Sequence, residues 1–281
     1  MKKLICKNPF VLMIILLIIS IIALELNVYY MELIGNRLWG LIPVRLIMGV
    51  IMMGILYIVA GKEIFKWKRK SGRYVFLRCI CLLLYNGFLS ILIVCTTIKS
   101  LNDLNENWLY LSCIYFIITL MIGFFEESLF RGIIVNGLIK VMPKTKKGLY
   151  VAIIMSGIIF GLVHIIWDLP NCLECSIAVI MKMVFKIITI GITGILLASL
   201  YLKTKNIWAC MIIHTIMDFI PLLASALVGI NGVSQQVVYG NMNLIVFLVN
   251  IFLSFLYCIP NLIIALSVLK KLEPPECVIW K

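Results

Sequence analysis

The most chemically suggestive stretch of the chain reads Gly123-Phe124-Phe125-Glu126-Glu127-Ser128-Leu129-Phe130-Arg131-Gly132, two adjacent carboxylates in an otherwise apolar run. On a helix Glu127 and Arg131 lie four residues apart, share a face and can form an ion pair. Glu126 points about 100° away and falls outside that pair. A carboxylate in a low-dielectric site beside a second carboxylate meets the conditions for general acid–base work near neutral pH. A plain Glu-Arg clamp between helices would account for Glu127 and Arg131 but leave Glu126 with nothing to do.

Two later apolar runs carry the chain's only two histidines. One reads Ser156-Gly157-Ile158-Ile159-Phe160-Gly161-Leu162-Val163-His164. The other reads His214-Thr215-Ile216-Met217-Asp218, whose two polar groups share a helix face. A single histidine in a membrane helix often does no more than hydrogen-bond to a neighbour. Two histidines, two adjacent glutamates, an arginine and an aspartate on three helices are a different matter. These residue types activate water or hold a metal ion.

The elements that must position them follow from composition. The chain has 281 residues, 63% apolar and 13% charged, with a mean hydropathy of +1.13. Soluble domains are about 45–50% apolar and about 25% charged, and a globule this size cannot bury such an excess. This excludes a soluble enzyme, a disordered chain and a nucleic-acid binder. The composition predicts an all-α polytopic membrane protein. Apolar runs near or above the roughly 20 residues of a spanning helix fall at 9–26, 38–61, 74–98, 108–139, 149–167, 176–202, 207–228 and 244–268, about eight transmembrane helices. None alternates as a membrane β-strand does.

Most basic residues lie on alternate breaks: Lys2, Lys3 and Lys7; Lys62 to Arg73; Lys140 to Lys147; Lys203 and Lys205; Lys270, Lys271 and Lys281. The other breaks hold few cations beside Glu25, Glu32, Asp103, Glu106, Asp168 and Glu174. The positive-inside rule then places both termini in the cytoplasm. The net charge of +13 is thus a topology signal and calls for no nucleic acid. The first run lacks a small-residue cleavage site and is expected to be retained as a span.

With no Pro- or Ser-rich linker, one helical domain is expected. It comprises an N-terminal three-helix region (1–107), a core carrying the motifs (108–228), and a last helix with a cytoplasmic tail (229–281). Most cysteines, such as Cys79 and Cys210, are expected to act as small hydrophobes. Cys172 and Cys175 share a short external loop, where they could pair or stay reduced. Cys277 is not fourth from the end and so does not form a prenylation box.

Other charges inside the spans are Arg45, Arg78, Lys182 and Lys186. Arg78, near a span end, can snorkel, and Lys182 and Lys186 can reach the outer headgroups. Arg45 sits about two turns inside the second span with no partner evident from sequence.

Glu126-Glu127-x-x-x-Arg131, then Phe160-x-x-x-His164, then His214-x-x-x-Asp218, in that order on membrane helices, resemble the CAAX protease and bacteriocin-processing (CPBP, or Abi) family over roughly residues 110–225. The resemblance implies an intramembrane endopeptidase in which Glu126 and His164 activate the attacking water. Glu127 and Arg131 would shape the site, and His214 with Asp218 would stabilise the oxyanion. It equally admits a reading in which Glu126, His164, His214 and Asp218 ligate a divalent metal, zinc above all. The cofactor is therefore either none or one such metal. Some family members carry asparagine where this chain has Asp218. An ionised aspartate only accepts hydrogen bonds, so Asp218 would have to be protonated, orient His214 as a charged donor, or bind the metal.

The expected partners are a membrane-associated protein or peptide substrate and the lipid bilayer. The Lys- and Ile-rich chain looks bacterial, a multi-pass cell-membrane protein whose substrate is a leader peptide, a bacteriocin precursor or a membrane protein. The alternative is a non-catalytic immunity or peptide-binding protein linked to a bacteriocin system. A proton-coupled transporter is a third reading, since buried carboxylates also form relays.

Overall fold

The computed structural model describes residues 8–34, 37–100, 103–166, 177–229 and 244–274. Every regular element among them is helical. In chain order these are α1 (Pro9–Ile34), α2 (Arg37–Ala60), a 3-10 turn (Lys62–Phe65), α3 (Arg69–Arg78), α4 (Ile80–Thr97) and α5 (Trp108–Glu127). A π-helical segment (Ser128–Val135) continues α5, followed by α6 (Asn136–Val141), α7 (Lys146–Val163), α8 (Ile177–Thr204), α9 (Ile207–Val228) and α10 (Leu244–Leu269).

Eight stretches among the described residues are long and apolar enough to cross a membrane. Leu84, Phe88 and Ile91 of α4 and Phe252, Ile259 and Ile263 of α10 are exposed, apolar surface that suits lipid and not water. The protein is an all-helical, multi-pass membrane protein.

The third span is shorter than the sequence suggests. The helix breaks at Cys79 between α3 and α4, and the apolar stretch is Ile80–Thr97. Arg78 thus precedes the span, with its guanidinium over the Tyr74 ring at 5.3 Å. The sixth apolar stretch likewise begins at Met183, after Lys182. The Cys172–Cys175 loop and the tail with Cys277 lie outside the described residues.

The chain divides into two compact units. One comprises the residues up to Ile133 together with α9; the other comprises Ile134–Lys205 and α10. In the first unit α5 packs between α2 and α9, α4 lies against α9, and α1 against α2. The α5–α9 approach depends on Gly123, where a Cβ would stand 2.7 Å from Thr215 Oγ1 and 2.9 Å from the Met211 carbonyl oxygen. Pro221 inside α9 has no N–H to offer the Met217 carbonyl; the Asn86 side chain of α4 donates to that oxygen instead, at 3.3 Å. Asn206 caps the start of α9, accepting from Ala209 N and donating to the Lys68 carbonyl at 3.1 Å. Trp208 Nε1 donates to the Phe65 carbonyl at 2.6 Å. At its far end α9 closes on Gly229 in the left-handed conformation (φ 71°), and Asn105 donates from its side chain to the Ala226 carbonyl.

In the second unit α8 lies between α7 and α10. A Cβ on Gly157 would stand 2.7 Å from the Gly191 carbonyl oxygen, and one on Gly161 2.5 Å from that of Ile187. Small residues let membrane helices approach this closely, where dispersion and not water drives association.

Gly123→Ala is expected to push α9 off α5, since the obstructing atoms are a short side chain and a backbone carbonyl. Overpacking of this kind costs about 1–3 kcal/mol. A lowered unfolding temperature of the purified protein in detergent checks it; an unchanged one would mean that the helices adjust freely.

Candidate active site

The first unit brings five of the residues expected from sequence onto two facing helix surfaces. Glu127 Oε1 lies 2.9 Å from an Arg131 guanidinium nitrogen. The same oxygen accepts a hydrogen bond from His214 Nδ1 at 2.7 Å. Glu127 is therefore shared between its own helix and α9, a link that the i, i+4 spacing alone does not show. With Nδ1 so engaged, His214 Nε2 faces two further carboxylates, Glu126 Oε2 at 3.5 Å and Asp218 Oδ2 at 3.3 Å.

Accessibility separates these side chains. The Glu127 side chain is 0% exposed and Arg131 1%, whereas Glu126 is 13% and Asp218 32% exposed. Glu127 and Arg131 are sealed in against each other. Glu126 and Asp218 are the more exposed carboxylates of the cluster.

The local sequence explains the placement. Gly123 admits α9 one turn before the glutamates. Gly132, in the π-helical segment, leaves room for Leu56 of α2, whose Cδ1 would stand 2.5 Å from a Cβ there. Single π turns inside α-helices recur at functional sites because they re-aim the side chains they carry. Here Arg131 lies inside one, and no hydropathy pattern announces it.

His164 belongs to the second unit, where it ends α7. Its Nδ1 is 2.7 Å from the Phe160 carbonyl oxygen, and the Phe160 ring lies at 4.5 Å. A carbonyl only accepts, so Nδ1 carries the proton and, in the neutral imidazole, Nε2 carries the lone pair. The Phe160-x-x-x-His164 spacing thus sets the tautomer of this histidine.

Asp218 Oδ2 lies 3.3 Å from His214 Nε2. Arg45 is the residue whose surroundings sequence reasoning missed. Glu126 and Asp218 both act electrostatically on it, and its Nε is buried with no hydrogen-bond partner among the described residues. The available signal was its position deep in an apolar run, but its neighbours come from helices far along the chain.

With Nδ1 held by Glu127, His214 has only Nε2 to offer a metal ion. Among the described residues no group of three or more His, Cys, Asp or Glu side chains has the geometry to hold an ion. His214 spends Nδ1 on Glu127, and its Nε2 lies at hydrogen-bonding range of two carboxylates.

Residues 107–220 match the model of the family described as Rce1-like, type II CAAX prenyl endopeptidase. The match covers α5 to the middle of α9 and contains all six expected site residues, but not Arg45. No curated protein and no solved structure matches the chain. At the level of the family, the match indicates an intramembrane CAAX-type protease acting on membrane-associated protein. Over residues 107–220 this chain is similar to the Rce1-like group of the CPBP family.

Proposed function

We propose that the chain is an intramembrane endopeptidase that hydrolyses a peptide bond of a membrane-associated protein or peptide, using water activated by Glu126 without a metal. The observation that carries this reading is the setting of His214, with Nδ1 held by Glu127 at 2.7 Å and Nε2 between Glu126 and Asp218. Glu126, the accessible glutamate, takes a proton from water as its oxygen adds to the scissile carbonyl carbon. It then returns that proton to the leaving amine nitrogen. His214, charged and flanked by carboxylates, donates from Nε2 to the oxyanion as it forms. Asp218 holds that imidazole in line. Glu127 and Arg131, buried against each other, keep the imidazole from turning. The family resemblance assigns His164 a part in activating water, and in the neutral imidazole its Nε2 carries the lone pair for that work.

The substrate class we favour is a leader peptide or another apolar membrane-associated segment, in a bacterial cell membrane with both termini of this chain in the cytoplasm. Purified protein in liposomes is tested on a quenched farnesylated peptide ending in a CAAX sequence and on its unprenylated counterpart. Cleavage of the unprenylated peptide, lost in both Glu126→Ala and His164→Ala, is the expected result. Normal processing by both variants overturns the proteolytic reading, and cleavage of the farnesylated peptide alone overturns the substrate class.

Chelation gives a separate check. Treatment with o-phenanthroline or EDTA is expected to leave the rate unchanged, and elemental analysis to find zinc well below one per chain. Stoichiometric zinc lost in parallel with activity would replace the general-base mechanism by a metal-assisted one.

A further inference from the structure

Arg45 comes from α2, outside the segment that matches the family, and the mechanism above makes no use of it. Leu41, Arg45 and Gly49 follow one another at four-residue spacing, so they share a helix face. Both neighbours on that face meet α5. Leu41 clusters with Ile114 and Ile118, and a Cβ on Gly49 would stand 3.2 Å from the Met121 carbonyl oxygen. Arg45 is thereby held against α5 between the levels of Ile118 and Met121, about two turns before the two glutamates. On the α9 side, Phe219 meets Phe116 edge-on at 5.4 Å, which brings the adjacent Asp218 to the same stretch of α5. Glu126 and Asp218 both act on the Arg45 charge.

A cationic side chain in a membrane span is costly unless compensated, and the surrounding charges show what compensates this one. Arg131 pairs with Glu127, His214 lies against Glu126, Glu127 and Asp218, and Arg45 is within electrostatic reach of Glu126 and Asp218. With Arg45 included the ionised cluster is neutral; without it one negative charge is left over, next to the residue that must act as base.

We propose that Arg45 is a positioning residue of this site, the counter-charge from α2 that holds Glu126 and Asp218 together on either side of His214. The functional half of this proposal rests on the proteolytic reading, whereas the charge balance does not. Without Arg45, two carboxylates flank one imidazole with no positive charge on their other side, and their repulsion turns them apart.

The test is a double-mutant cycle between Arg45→Met and Asp218→Asn in the full-length protein, with Arg45→Lys as the conservative variant. Two readouts are taken: the unfolding temperature in detergent, and kcat and KM on the quenched peptides named above. Arg45→Met is expected to lower kcat by about tenfold or more, with KM within about twofold, but by less than about threefold when added to Asp218→Asn. Arg45→Lys should retain kcat within about threefold, since it keeps the charge. The unfolding temperature should show the same coupling in sign.

Equal losses in kcat and unfolding temperature from Arg45→Met in both backgrounds overturn the proposal. Coupling in the unfolding temperature with none in kcat also overturns the positioning role, leaving a structural charge. If the wild-type protein cleaves neither peptide, the proteolytic reading fails by itself. The unfolding-temperature cycle then still decides the charge balance, and independence of the two substitutions overturns it.

Discussion

Glu126→Gln is expected to reduce peptide cleavage by about 10²–10⁴-fold, the span associated with a positioned general base, while the protein inserts and accumulates normally. Glutamine has nearly the shape of glutamate, so α5 and α9 should keep their approach at Gly123. What is lost is the ability to take a proton from water. The side chain is 13% exposed, and His214 keeps Glu127 and Asp218 as partners after the substitution. An unfolding temperature close to wild type would separate this loss of chemistry from a loss of structure. An unchanged cleavage rate would mean that the base lies elsewhere. If protection against a bacteriocin were found and survived the substitution, binding would replace cleavage as the function.

Glu127→Ala should act through stability. Its carboxylate answers both Arg131 and His214 from inside the protein, at 2.9 and 2.7 Å, and Arg131 is 1% exposed. Removing one partner of a buried pair strands the other charge, at a cost of about 3–5 kcal/mol. Total stability is typically about 5–15 kcal/mol, so the variant is expected to accumulate poorly and to unfold at a clearly lower temperature. Replacing both residues, Glu127→Leu with Arg131→Leu, removes the stranded charge and should restore accumulation, because apolar replacements of buried pairs are often neutral. It should not restore cleavage, since His214 Nδ1 then lacks the acceptor that holds the ring. Recovery of activity along with stability would show that Glu127 serves only as a structural clamp.

Much of this molecule can be read along the chain because helix periodicity and span length are local properties. The apolar run at 207–228 coincides with α9 (Ile207–Val228). The four-residue spacings of Glu127 with Arg131 and of His214 with Asp218 appear as contacts at 2.9 and 3.3 Å. The order of the three motifs points to the same family as the match over residues 107–220, since residue types and spacings are what a family pattern records.

Contacts between helices are not encoded at any fixed spacing, and those are where the reading along the chain stopped. Nothing near Glu127 says that its carboxylate also holds His214, nothing near Pro221 says that Asn86 serves the carbonyl it leaves open, and nothing near Arg45 names Glu126 and Asp218 as its surroundings. The π-helical turn after Glu127 is equally silent, because a run such as Ser128–Val135 has the same hydropathy in either helical form. Sequence alone determined the membrane class, the helices and the candidate side chains. Packing at Gly123 and Gly132 determined which of those side chains share a carboxylate and which stand exposed, because such choices depend on how closely two backbones can approach.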